Sequence, residues 1–126
     1  MRNWIVCLAA VRAMSPLAGA HEGHDHAPKS GKLTGEVVDI TCFMDHDSKG
    51  EKHAACARKC VEKGLPVGLL VGDKLYAIIL GSHESPNEKL APYAGKLVTM
   101  TGSISEKSGM RVIDMDAVEP ATTPAK

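Results

Sequence analysis

The chain has 126 residues, and its fifteen Lys and Arg balance fifteen Asp and Glu to a formal net charge of zero. That length holds one small domain and leaves little material for a large catalytic cleft. Balanced charge and an aromatic content of 3 % argue against a basic, base-stacking surface for nucleic acid and against electrostatic attachment to anionic membranes.

Residues 1–20 have the anatomy of a signal peptide: Arg2 at the start, an apolar stretch from Trp4 to Val11, and the small-residue site Ala18-Gly19-Ala20. The apolar run, interrupted by Arg12, is too short to span a bilayer. The expected product is a periplasmic or secreted protein beginning at His21, with no stable membrane insertion after cleavage. Cys7 lies too near the start, and lacks the small preceding residue, for lipid attachment. Removing Arg2, Arg12 and Cys7 leaves thirteen basic groups against fifteen acidic and three cysteines, Cys42, Cys56 and Cys60. An odd number of thiols in an oxidising compartment allows one disulfide plus a free thiol, or a metal site that uses all three.

Along the mature chain, residues 21–31 carry His21, His24 and His26 among acids, Gly and Pro with no apolar periodicity, which predicts a disordered tether. The domain proper is predicted over residues 32–119. Lys32–Cys42 (KLTGEVVDITC) reads as a strand with a bulge or bend at Gly35, and Phe43–Gly50 as a polar loop. Ser48 and Glu51 have capping-box spacing, and Gly64 and Pro66 supply a stop, so residues 51–63 are predicted to form a helix of about three turns. Val67–Val71 and Lys74–Leu80 form a hairpin around Gly72-Asp73. Ser85 to Glu88 repeats the capping spacing and predicts a short helix over Asn87–Ala91. A second hairpin pairs Lys96–Ser105 with Met110–Val118, with Ile113, Met115 and Ala117 on one face, and residues 120–126 form a disordered tail. Five strands and two helices in about ninety residues predict a mainly β fold with α, best built as a closed barrel of the oligonucleotide/oligosaccharide-binding (OB) type; a five-stranded sheet with a helix on one face is the alternative.

The segments GEVVDITC (Gly35–Cys42), HAACARKC (His53–Cys60), GLPVGLLVGDKLYAIIL (Gly64–Leu80) and AGKLVTMTGSI (Ala94–Ile104) make the chain similar to small exported bacterial proteins of uncharacterised function with an OB-like core. The resemblance spans residues 32–119. It implies the fold and export and carries no settled activity.

Chemistry concentrates in Cys42-x10-His53-x2-Cys56-x3-Cys60. On a helix His53, Cys56 and Cys60 share a face, and Cys42 at the end of the preceding strand can fold back against it. Three thiolates and an imidazole form a tetrahedral Cys3His set for zinc, and soft thiolates equally suit copper(I). Met44 and His46 are candidate further ligands, as are His21, His24 and His26 in the tether. Two plainer readings stand beside this one. Cys42 can pair with Cys56 or Cys60 in a disulfide, stabilising a metal-free OB-like module that binds a protein or small ligand; or the thiols are small apolar residues buried under a helix. Haem attachment needs Cys-x-x-Cys-His, and a thioredoxin-type centre needs Cys-x-x-Cys in a βαβ setting; neither pattern is present. The Cys-x3-Cys spacing looks like that of dinuclear copper sites but lacks the following His and Met. No nucleophile-and-base set stands out, so the expected role is carriage or sensing of copper or zinc, in contact with a periplasmic partner protein, rather than catalysis.

Overall fold

The computed structural model describes residues 28–121. The expected signal peptide, Cys7, His21, His24, His26 and the last five residues lie outside the described residues. Five strands make one sheet: β1 (Lys29–Asp39), β2 (Val67–Val71), β3 (Lys74–Ile79), β4 (Leu97–Lys107) and β5 (Met110–Pro120). The sheet closes on itself in the order β1-β2-β3-β5-β4, so that β1 meets both β2 and β4. All neighbours are antiparallel except β3 and β5. Among the described residues three short α-helices complete the fold: α1 (Ile40–His46) and α2 (Ala54–Glu62) between β1 and β2, and α3 (Asn87–Leu90) between β3 and β4. Among the described residues no helix is long and apolar enough to cross a membrane.

The strands form where β-branched and aliphatic residues alternate, and that alternation fills the interior. Val37, Leu69, Ile78, Val98, Met100, Ile113 and Met115 meet inside the barrel, joined by Val61 from α2 and by Leu90 and Ala91 from the α3 region. Both two-residue hairpin turns are made by residues that accept positive φ: Gly72 (φ 61°) before Asp73, and Ser108 (φ 52°) with Gly109 (φ 78°). The strands run past their predicted ends. Lys29, Ser30 and Gly31, expected in the tether, pair with Ile104, Ser103 and Gly102, and Pro120 lies opposite Val98. A backbone ladder needs only an exposed partner strand, and β4 extends far enough at both ends to supply one.

The expected inward row Ile113, Met115, Ala117 is broken after its second member. Thr101 pairs with Ala117 and Gly102 with Met115, so Asp116 is the extra residue of a bulge. The bulge reverses the inside–outside phase: Met115 is buried, Ala117 is exposed, and Val118 takes the inward place. Gly35 sits at no such shift. It lies where β1 passes from β4 to β2, against the Leu70 carbonyl, leaving no room for a side chain.

The connection from α3 to β4 holds the helices to the barrel. Gly95 (φ 73°) donates its N–H to the Val37 carbonyl at 2.7 Å, and a Cβ at position 95 would stand 2.6 Å from the Cα and Cβ of Ala54, the first residue of α2. At the other end of α2, Asn87 donates from Nδ2 to the carbonyls of Val61 and Leu65, both at 2.7 Å. Val61 lies in the last turn of α2 and Leu65 in the segment that leaves it for β2, so one side-chain amide ties the end of the helix to its exit. Replacing Asn87 with Leu removes both donors from a half-buried position. The expected result is a loss of about 1–3 kcal/mol in unfolding free energy, seen as a lower urea midpoint with an unchanged m-value.

Candidate metal centre

The site lies in the 27 residues between β1 and β2, and its first element is a helix where the sequence suggested a strand end and a loop. Asp39 is the reason. As the residue before α1 it is only 1 % exposed, and its carboxylate accepts hydrogen bonds from the backbone N–H of Thr41 (3.1 Å) and of Cys42 (3.3 Å). This N-cap satisfies the free donors of the first turn and bends the chain out of the sheet. The Ile40 N–H donates to the Pro66 carbonyl at 2.9 Å, tying the start of α1 to the start of β2. Asp47 (φ 50°) ends α1 in the left-handed region, its N–H donating to the Phe43 carbonyl at 2.9 Å. Cys42 is therefore a first-turn residue of α1.

The return to α2 also departs from expectation. The Ser48–Glu51 capping box does not form: the Ser48 N–H donates to the Cys42 carbonyl at 3.4 Å, and the Gly50 N–H is bound by the Glu36 carboxylate of β1. Residues Glu51–His53 make a 3-10 turn and α2 begins only at Ala54. His53 ends that turn as the residue directly before α2, and its exposed side chain is not among the groups that meet the sulfurs. The buried face of α2 consists of Ala57 and Val61.

Cys42 of α1 and Cys56 and Cys60 of α2 bring their Sγ atoms within 4.8 Å of one another. All three are free thiols; Cys42 and Cys60 are half-buried and Cys56 is exposed. This is the triad predicted from sequence without its imidazole, since His53 is not among the groups that converge. Nor do the further candidates join it. Met44 follows Cys42 by two positions, which places it on the opposite face of α1, where it is 70 % exposed beside Leu75 and Met110. His46 is exposed and pairs through Nε2 with Asp45 at 3.0 Å. The reading of three cysteines buried as small apolar residues is likewise corrected, because none is fully buried and Cys56 faces solvent.

Asp39 is the residue that sequence reasoning missed. Its signal is an acid in the apolar run VVDITC, three positions before Cys42, at N-cap spacing for a helix in a stretch whose pattern predicts a strand end and a loop. Its carboxylate borders the Cys42 thiol. Hydrogen bonding to that carboxylate, then desolvation and the carboxylate's charge, push the Cys42 thiol up to about 12 from an ordinary value of 9.0. Cys60 is raised as well, first by desolvation, with Asp39 adding to the rise and the hydrogen bond from Cys42 opposing it.

The donor set fits a soft ion. A metal about 2.3 Å from each sulfur sets the sulfurs about 3.8 Å apart in tetrahedral geometry, inside the separation observed. Compared with protein-family models, with curated proteins and with solved structures, the chain shows no match. The class defined by the geometry is thus a mainly β domain bearing a three-cysteine cluster on a helical insertion.

Because the thiolate is the reactive form, a raised thiol value slows alkylation at every pH below it. In metal-free protein at about pH 8, Cys42 is expected to react with iodoacetamide roughly a hundredfold or more slower than in the unfolded chain. Its rate should climb about tenfold per pH unit, and Asp39→Asn should accelerate it, as read by mass spectrometry of the Cys42 peptide.

Proposed function

We infer that this chain is an exported metal-binding protein that carries or senses zinc or copper through Cys42, Cys56 and Cys60. The observation that carries this reading is the convergence of three free sulfurs from two helices within 4.8 Å. Two thiols on one helix are commonplace. A third brought from a separate, specifically capped helix to the same point is what soft-metal coordination requires. Three sulfurs leave a fourth position for water or an incoming ligand at the exposed Cys56 side, which suits loading and release better than a closed structural site. Export rests on the signal-peptide pattern of residues 1–20, and the histidines at 21, 24 and 26, with the α-amino group that cleavage would free at His21, would act as a low-affinity capture arm. The barrel is read as OB-like from its strand order and from the parallel meeting of β3 and β5. In that fold the loop between the first two strands is a habitual binding element, and here the same connection carries the cysteines. The similarity to small exported bacterial proteins belongs to this proposal as well, with a periplasmic protein as the partner that gives or takes the metal.

A second reading has one observation in its favour: Cys42 and Cys60 stand on different helices with their sulfurs within 4.8 Å, a placement that oxidation can convert to a disulfide stapling a metal-free binding module. The two are separated by elemental analysis and denatured thiol titration of protein isolated from the periplasm. Three titratable thiols with one equivalent of zinc or copper support the metal protein; one thiol and no metal supports the module. Reconstituted with either metal, the reduced chain is expected to bind one ion. Each single Cys→Ser change at 42, 56 or 60 should weaken binding by more than the roughly 10–100-fold typical of second-shell changes. Substitution with cobalt(II) should give thiolate charge-transfer bands that disappear in the variants.

A further inference from the structure

Asp39 is an acidic residue buried to 1 % exposure, and among the described residues no ion pair includes it. Its carboxylate does not belong to the three-sulfur group, yet one of its oxygens lies 3.3 Å from the Cys42 backbone nitrogen, in the helical turn that carries the Cys42 sulfur to that group. Two backbone N–H groups, those of Thr41 and Cys42, hold it in place, so the charge cannot swing out toward water. A fixed, buried anion beside a metal site acts on the net charge of whatever forms there, and burial keeps salt from screening it.

We propose that Asp39 determines the specificity of the three-cysteine site, its carboxylate biasing the cluster toward a divalent cation over a monovalent one. The inference rests on the metal-binding reading above and deepens it. Three thiolates around zinc(II) carry a residual charge of −1, and around copper(I) of −2. Asp39 repels both, and repels the copper(I) cluster by one further unit charge at the same distance. The site therefore penalises a soft monovalent ion that its sulfurs alone would welcome. Among the described residues the ion pairs made by Lys and Arg go to Asp47, Glu62 and Glu106, and none reaches Asp39.

The test compares the wild-type chain with Asp39→Asn and Asp39→Ser, which keep an oxygen able to cap α1 but remove the charge, and with Asp39→Glu, which keeps the charge. Association constants for zinc(II) alone and copper(I) alone are measured by competition with chromophoric chelators at one fixed pH, and the readout is their ratio. The zinc-to-copper ratio is expected to fall about tenfold or more in both neutral variants and to stay near the wild-type value in Asp39→Glu. A merely structural role for Asp39 would weaken both metals in parallel and leave the ratio alone. An unchanged ratio in a folded neutral variant overturns the proposal while the metal site stands. Either neutral variant suffices if the other does not fold. A wild-type chain that takes up neither metal removes the site and this inference together.

Discussion

The hydrogen bonds from Thr41 and Cys42 to the Asp39 carboxylate are the point at which barrel and site are joined. Asp39 closes the ladder of β1 opposite Val67 and opens α1 in the same residue. Without a side-chain acceptor there, the first-turn donors of a seven-residue helix would go unsatisfied at a buried position, and so short a helix has no propensity reserve to form regardless. The same carboxylate stands against the sulfurs that the helix delivers. One buried acid thus fixes the path of the chain, the place of Cys42 and the electrostatic character of the cluster.

The division of labour between barrel and insertion follows from burial. Val37 and Val38, successive residues on opposite faces of β1, are both buried, so the end of that strand is covered inside by the core and outside by packed chain. α2 packs against β1 and sends Val61 into the main core, which anchors the helix without using its cysteines. The thiols are left on the flank of α2, free to meet Cys42. A helix held by Ala57 and Val61 on one face and clamped by Asn87 at its end can present Cys56 to solvent while remaining rigid.

Much of the barrel was legible because period-2 patterning and glycine turns are local signals. The hairpins at Gly72-Asp73 and around Ser108-Gly109, and the buried row Val98, Met100, Ile113, Met115, follow from neighbouring residues alone. The bulge at Asp116 was not legible, since an extra residue is defined only by the strand opposite. At the site, the spacing marks the three cysteines, whereas the helical period extended to His53 counts as helix a residue that lies before the first turn of α2. The Ser48–Glu51 box misleads because the Ser48 N–H that Glu51 would cap already donates to the Cys42 carbonyl at the end of α1, and the next turn starts from Gly50 instead. α1 was hidden for a related reason: a β-rich run that enters a helix at Ile40-Thr41 has strand propensity on both sides of its cap, and only the burial of Asp39 shows which tendency prevails.

Gly95 has no donor atom and no place in the coordination chemistry, yet it governs whether that chemistry assembles. Any side chain at this position must displace the N-terminal end of α2, because Ala54 already occupies the space, and the backbone angle there resists substitution as well. A shift of α2 by the width of a methyl group is comparable to the tolerance of a three-sulfur cluster. The hydrogen at the α-carbon of one glycine therefore sets how Cys56 and Cys60 stand relative to Cys42.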